Sequence, residues 1–178
     1  MSISRKSKQF LIAALSASTA VLGFAGVADS ATSTAQFAVN VNVVNACTIG
    51  FSGAISISTS SPYTGGNTMT VTCTSGAAYT VTLAGTPSTV TVNDYTFQTT
   101  DGANFIDYVV TGATTAGWTF ADGSNRLGDD PTYNVANTGS GSAQTLALTA
   151  TAASAGAHSI LTAPAGDYTD TVTATVTF

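Results

Sequence analysis

The chain has very little charge and almost no positive charge. Of its 178 residues only four are Lys or Arg and nine are acidic, and every acid is Asp. Three of the four bases lie within the first eight residues, so the rest of the sequence has Arg126 as its single base. A chain without clustered Lys and Arg cannot neutralise phosphates, which excludes nucleic-acid binding and disfavours anionic membrane surfaces.

Residue types that perform catalysis are equally scarce. Nucleophilic catalysis needs a base beside the nucleophile, and the sole His, His158, has no catalytic motif around it. The close pairs Asp129–Asp130 and Asp167/Asp170 offer carboxylates for acid–base work, but Asp is also a residue that turns select. We therefore expect no catalytic residue.

Residues 122–130 are rich in side chains with oxygen atoms that could bind calcium, so a calcium-binding loop is one hypothesis for this segment. An EF-hand loop requires an acid or amide at its fifth position, Gly at the sixth and Glu at the twelfth. Arg126 and Leu127 occupy the fifth and sixth positions here, and the sequence has no Glu. We predict a structural loop, with no metal and no cofactor.

The only two cysteines are Cys47 and Cys73. Two thiols and one distant His cannot fill a tetrahedral metal shell, so a zinc site is disfavoured. In an exported protein such a pair forms a disulfide, which we predict here.

The first 28 residues have the layout of a secretory signal peptide. Basic residues at 5, 6 and 8 precede an apolar run from Phe10 to Gly26, and small residues predict cleavage after Ala28 or, alternatively, after Ser30. An uncleaved anchor needs about 20 strongly apolar residues, whereas this run is shorter and contains Ser and Thr. The mature chain, with one Arg against nine Asp, carries 1 − 9 = −8, and we expect no membrane insertion of it.

Beyond the signal the sequence alternates apolar and small polar residues, as strands with one buried face do. Residues 37–43 follow this pattern. Two further runs, Met69–Cys73 and Tyr79–Leu83, flank a Ser75-Gly76 turn and predict a hairpin. The final run, Tyr168–Phe178, places Val172, Ala174, Val176 and Phe178 on one face and Thr on the other.

Other short runs complete an all-β prediction. Gly, Pro or Asp turns separate the candidates, no helical period is present, and Thr content disfavours a helix in the Ala-rich residues 147–157. This spacing indicates a β-sandwich or barrel. The single Trp118 fits a sugar-binding face or, as we expect in a sandwich, the core. The remaining strand candidates are Phe51–Ile57, Val90–Phe97, Phe105–Thr111, Trp118–Phe120 and Leu146–Thr151.

Several motifs then occur in a characteristic order. Val43-Val44-Asn45-Ala46-Cys47-Thr48 comes first, followed by Met69-Thr70-Val71-Thr72-Cys73-Thr74-Ser75-Gly76, Tyr79–Leu83, Phe120-Ala121-Asp122 with Arg126 and Gly128-Asp129, and Pro164-Ala165-Gly166-Asp167-Tyr168-Thr169-Asp170-Thr171-Val172. In this order the chain resembles the spore coat protein U domain and the pilins of archaic chaperone–usher (Csu-type) pili. It departs from the family pattern where Leu127 replaces a Trp and Asp130-Pro131 replaces Asp-Gly.

The resemblance implies an immunoglobulin-like β-sandwich that lacks its last strand and is completed by a donor strand from a neighbouring subunit. Residues 1–28 would be the signal peptide, residues 29–43 the donor arm, and residues 44–178 the pilin domain. The implied partners are copies of the chain or related pilins, a periplasmic chaperone and an outer-membrane usher. The inserted donor side chains would be Phe37, Val39, Val41 and Val43.

The acceptor edge would lie on the closing strand. Its Thr face carries none of the Lys, Pro or bulges that usually protect an edge from pairing with another chain. The implied acceptor residues are Val172, Ala174, Val176 and Phe178.

The expected function is therefore structural and not enzymatic. The chain would be exported through the periplasm to the cell surface as a subunit of a pilus that supports adhesion and biofilm formation. Two alternatives stay open at this point. One is a spore-coat or surface-layer protein that does not polymerise, and the other is a secreted glycan-binding module.

Overall fold

The computed structural model describes residues 32–86, 95–128 and 131–178. The predicted signal peptide, and residues 90–94 of one predicted strand, lie outside these ranges. The chain divides after Asn40 into two compact units, residues 1–40 and 41–178. In the first unit the described residues 32–40 form no regular secondary structure. All strands of the described residues lie in the second unit.

The described residues of the second unit form ten β-strands and one short turn of 3-10 helix, and none of them is in an α-helix. In chain order the strands are β1 (Cys47–Phe51), β2 (Thr64–Cys73), β3 (Ala78–Ala84), β4 (Phe97–Thr100), β5 (Phe105–Gly112), β6 (Thr119–Phe120), β7 (Arg126–Leu127), β8 (Val135–Thr138), β9 (Ala143–Ala152) and β10 (Thr173–Thr177). The 3-10 turn is Pro131–Tyr133.

The strands form two antiparallel sheets. The first sheet has the order β1-β2-β9-β5-β4, and β7 pairs with the C-terminal end of β5. The second sheet has the order β10-β3-β8-β6. Their inner faces share one hydrophobic core. This face-to-face arrangement is the architecture of immunoglobulin-like sandwiches, and it confirms the all-β prediction.

The alternation seen in the sequence sets which side chains enter the core. Met69, Val71 and Cys73 of β2 are buried, as are Tyr79 and its alternate neighbours on β3. Thr occupies the intervening positions, so the outer faces of both sheets are hydroxyl-rich. Thr suits this position because its branched side chain favours a pleated surface and its hydroxyl stays in contact with water.

The prediction that the runs Met69–Cys73 and Tyr79–Leu83 form a hairpin is wrong. β2 pairs with β1 and β9 in the first sheet, whereas β3 pairs with β10 and β8 in the second. The chain crosses between sheets at Ser75-Gly76. Alternation shows which face of a strand is buried, but two strands that bury the same phase lie equally well in one sheet or in opposite sheets.

Strand limits also differ from the predictions at both ends of the domain. The predicted strand Phe51–Ile57 is mostly irregular, because β1 ends at Phe51. Residues 37–43 form no strand, since nothing pairs with them in the described chain. The closing strand begins at Thr173, five residues later than predicted. The strand in the Ala-rich segment is confirmed and extends over Ala143–Ala152.

A disulfide joins Cys47 to Cys73, as predicted. The two residues face each other across the β1–β2 pairing, so the bond fastens β1 to the rest of its sheet.

We predict that replacing both cysteines with Ala lowers the free energy of unfolding by about 3 kcal/mol, because the bond closes a loop between residues 26 apart. For a domain of this size the melting temperature should fall by roughly 6–12 °C. Thermal denaturation followed by circular dichroism measures it, and reduction of the unmodified protein should reproduce the shift. An unchanged melting temperature in both experiments would contradict the prediction.

Candidate functional site

The sandwich has two free edges that face one another. Within the described residues β1 pairs with β2 alone and β10 pairs with β3 alone. β1 and β10 belong to different sheets, yet Cα atoms of the two strands come within 8 Å. No hydrogen bonds join them. The hydrophobic core therefore lacks a covering strand along this side.

Both margins of this opening carry hydrophobic side chains that touch the core but stay partly exposed. One margin consists of β1 and the irregular residues that follow it, and it contributes Cys47, Ile49, Ile55 and Ile57. The other consists of the residues leading into β10 and β10 itself, with Val172, Ala174 and Val176. We call this feature the groove, bounded by residues 47–59 on one side and 163–177 on the other.

The groove widens into a cleft of about 1000 Å³ between residues 51–59 and residues 163–172. Its floor consists of core side chains from both sheets: Leu83, Tyr108, Val110, Leu148, Ala150 and Ala152. Small Ala side chains leave space that Leu or Ile would fill.

The margin at residues 163–172 contains no strand but is held by specific bonds. Thr169 and Thr100 exchange both backbone hydrogen bonds at 3.0 Å, which ties this segment to β4. Tyr168 donates its hydroxyl to the Pro164 carbonyl at 3.1 Å. Desolvation and the nearby Asp101 carboxylate raise the pKa of Tyr168, so it remains a neutral donor.

Asp170 is the third fastening point of the same margin. Its carboxylate accepts a hydrogen bond from the Tyr108 hydroxyl at 2.5 Å and another from the Thr86 amide at 2.6 Å. Burial, followed by the hydrogen bond and the negative charge of Asp170, raises the pKa of Tyr108. The phenol therefore stays protonated and keeps donating.

The four predicted acceptor residues do not all lie in the same place. Val172 lines the cleft, and Ala174 and Val176 are half-buried along the groove. Phe178 is 54% exposed and lies instead at a shallow depression of about 470 Å³ that Tyr79 and Asn137 also line. Phe178 follows the last residue of β10, so the pairing that orients the other three does not hold it.

The four predicted donor residues are all strongly exposed. Phe37 is 88% exposed, Val39 74%, Val41 82% and Val43 75%. Exposed hydrophobic residues at four alternate positions are unusual in a chain that buries its other alternating runs. No charged residue lies between 32 and 43.

Other residues of the groove and the cleft have weaker signals in the sequence. Ile55 and Ile57 belong to a run that predicts a strand, and both side chains pack against the core. Ile160 and Ala163 come from the loop after β9, where no periodicity marks them. Only the fold brings that loop to the cleft.

His158 lies beside two polar residues and not in isolation. Its Nδ1 is 3.3 Å from a carboxylate oxygen of Asp107 and 3.1 Å from the Gln98 side-chain nitrogen, and Gln98 also donates to Asp107 at 2.8 Å. Asp107 and Gln98 are buried, and His158 is exposed. The group joins the loop after β9 to β4 and β5, which is a structural role.

The described part of the candidate calcium loop, residues 122–128, is held by contacts among its own residues and with Tyr133. Arg126 pairs with Asp122 at 3.1 Å and its guanidinium lies 5.0 Å from the centre of the Tyr133 ring. Burial opposes ionisation of Asp122, but hydrogen bonds from Ser124 and Arg126 hold its pKa below the ordinary value. Asp129 and Asp130 lie outside the described residues, and the described ones contain no cluster of three metal-binding side chains.

Trp118 is a core residue and not part of an exposed sugar platform. It is buried, donates its indole N–H to the Thr145 carbonyl at 3.2 Å and packs edge-on against Tyr79. This confirms the core prediction. Among the described residues, no helix has the length and apolar character needed to cross a membrane.

Comparison with known proteins gives a family match and matches to solved structures. The family model of the Spore Coat Protein U domain matches residues 33–175. The fold is also similar to a chain in the crystal structure of the CsuC–CsuE chaperone–tip adhesion subunit pre-assembly complex from archaic chaperone-usher Csu pili of Acinetobacter baumannii. That similarity has a TM-score of 0.47 and 19% sequence identity, and it covers 76% of this chain but 40% of the other. No curated protein matches the sequence significantly.

Proposed function

The chain belongs to the Spore Coat Protein U domain family, and from this premise we propose that it is a structural subunit of a surface fibre assembled by strand exchange. The observation that carries the proposal is that one chain has both an uncovered groove and an exposed hydrophobic arm. The arm of one copy fills the groove of the next. The role is mechanical and not catalytic.

The physics of the exchange is β-augmentation. An inserted strand pairs its backbone with the free edge of β10, and its alternate side chains enter the core. Phe37, Val39, Val41 and Val43 share one face of such a strand. Burying four side chains of this size contributes on the order of 6–12 kcal/mol before the arm's ordering cost is subtracted.

Two features of the arm favour insertion. It contains no charged residue between 32 and 43, so no ion loses its hydration shell on entering the groove. It also contains no Pro or Gly in this range, so every residue can take extended geometry and donate to a ladder.

Insertion also requires the groove to open. Two strands that flank a third lie about 10 Å apart, twice the usual interstrand spacing, whereas Cα atoms of β1 and β10 approach within 8 Å. The arm therefore enters first at the wide cleft and then separates the two edges. A groove in this state also needs protection before assembly, because its exposed hydrophobic margins would otherwise associate at random.

We propose the following steps of export and assembly for the chain. Residues 1–28 direct export and are removed, residues 29–43 form the donor arm, and residues 44–178 form the acceptor domain. A periplasmic chaperone covers the groove, an outer-membrane usher replaces it with the next subunit's arm, and the polymer of this chain or of related pilins reaches the cell surface. There it supports adhesion and biofilm formation.

Shearing material from the surface of cells that express the chain tests the proposal. Strand-exchanged polymers resist detergent, so an unboiled gel should show a ladder of multimers that collapses to the monomer on boiling, and electron microscopy should show fibres. Surface-exposed monomer without ladder or fibres would instead indicate a coat protein that does not polymerise. Purified monomer that binds glycans, again without fibres, would indicate a glycan-binding module.

A further inference from the structure

One charged side chain lies at the margin of the hydrophobic cleft and joins three elements. Asp170 immediately precedes Thr171 and Val172, the residues leading into β10. One of its oxygens accepts from the Thr86 amide, just after β3, and the other accepts from the Tyr108 hydroxyl of β5. The start of β10 is therefore attached to both sheets through a single carboxylate.

The backbone around this carboxylate is built to admit it. A Cβ atom added to Gly85 would lie 2.7 Å from Asp170 Oδ2 and 2.9 Å from the Phe97 ring, both too close for a real side chain. Only glycine lets the end of β3 approach the carboxylate so closely. The Thr86 amide reaches Asp170 because of that approach.

The phenol partner is equally fixed. Tyr108 is buried and stacks on Phe97 with ring centroids 5.2 Å apart. Tyr108 and Asp170 both line the cleft. A hydrogen bond to a charged acceptor is stronger than one between neutral groups, and it is strengthened further by low-dielectric surroundings.

We propose that Asp170 is a positioning residue for strand exchange, holding the start of β10 so that its free edge is already formed when an arm arrives. This inference rests on the proposed function and adds to it the group that prepares the acceptor. The segment from 163 to 172 contains no strand of its own and is fixed by a few bonds. A preformed edge lowers the ordering cost of binding, so losing the carboxylate should slow entry of the arm.

The test uses the mature chain with Val41→Asp, which disables its own arm, and a fluorescent peptide of residues 32–43 as the probe. The association rate is measured about 15 °C or more below each variant's melting temperature, where the empty domain stays folded. Asp170→Ala should slow association by about tenfold or more, equivalent to about 1.4 kcal/mol. Tyr108→Phe keeps one of the two bonds, and Asp170→Asn removes the negative charge but can still hydrogen-bond to both partners, so both variants should give intermediate rates.

The matched control is Asp122→Ala, which removes the same charge from a loop outside the groove and neither of these bonds. Its rate should equal that of the parent chain. Should Asp170→Ala fail to fold, Tyr108→Phe, which removes a single hydroxyl, provides the comparison.

The outcomes separate the two claims. If the parent binds the peptide and the Asp170 and Tyr108 variants bind at the same rate, with only their melting temperatures lowered, Asp170 is merely structural and this inference is wrong. If the parent itself does not bind the peptide, the proposed function fails and takes this inference with it. If the parent binds the peptide and only the Asp170 and Tyr108 variants bind more slowly, the result supports both the proposed function and this inference.

Discussion

We expect that replacing Val41 with Asp abolishes fibre growth, whereas replacing its neighbour Asn40 with Asp leaves growth nearly unchanged. Val41 shares a face with Phe37, Val39 and Val43, and that face enters the core of the acceptor in the proposed exchange. Burial of an unpaired carboxylate costs several kcal/mol, and the contribution of the valine, about 1.5–3 kcal/mol, is lost as well. Because every 1.4 kcal/mol is a factor of ten, affinity for the groove should fall by roughly three orders of magnitude or more.

The Asn40→Asp variant is a stringent control because it adds the same charge one residue away. Successive side chains of a strand point to opposite faces, so a carboxylate introduced at position 40 would remain in water after insertion. Val41 is 82% exposed in the free chain, so the Val41→Asp variant should fold and remain disulfide-bonded. The measurement is the detergent-resistant ladder of sheared surface material. A normal ladder from the Val41→Asp variant, or equal losses in both variants, would refute the assignment of the donor face.

Alternation in the sequence predicts which side chains of this fold are buried better than it predicts which strands pair with one another. It correctly identifies the buried residues of β2 and β3 and the face of β10 that meets the core, because a period of two directly reports which face is turned inward. It does not identify partners, which is why β2 and β3 appear as a hairpin although they lie in opposite sheets. Partner choice depends on crossing turns and on the packing of both sheets together.

Strand limits fail for a related reason. Ile55 and Ile57 alternate like strand residues and point inward, yet no neighbouring strand hydrogen-bonds to them as one would in a ladder. Inward orientation needs only local geometry, whereas a strand needs an edge to pair with. The arm is the extreme case, since its pattern is the clearest in the sequence and the described chain gives it no partner.

The groove was only partly predictable. Val172, Ala174 and Val176 follow from the pattern of the closing run, but Phe178 does not share their environment because pairing ends at Thr177. Ile160 and Ala163 reach the cleft through a loop without periodicity. Asp170 looks like an ordinary turn residue in the sequence, and its bonds to Thr86 and Tyr108 depend on contacts across 84 and 62 residues.

An extended chain that carries a second copy of residues 32–43 after Phe178, joined by a short flexible linker, should be far more stable than the parent. The added segment can fill the groove of its own domain, so the insertion becomes intramolecular and avoids the translational cost of association. If half of the roughly 6–12 kcal/mol gross gain survives ordering costs, the melting temperature rises by about 6–24 °C. Thermal denaturation of purified monomer measures the shift.

The matched control carries the same extension with Val39→Asp and Val41→Asp in the added copy only. It has the same length and linker, but its strand cannot enter a hydrophobic groove without burying two carboxylates. Its melting temperature should stay close to that of the parent. The extended chain should also stop accepting arms from other copies, because its groove is occupied. A stable parent whose melting temperature does not respond to the extension would mean that the domain is already complete, and the free edges of β1 and β10 would then require another explanation.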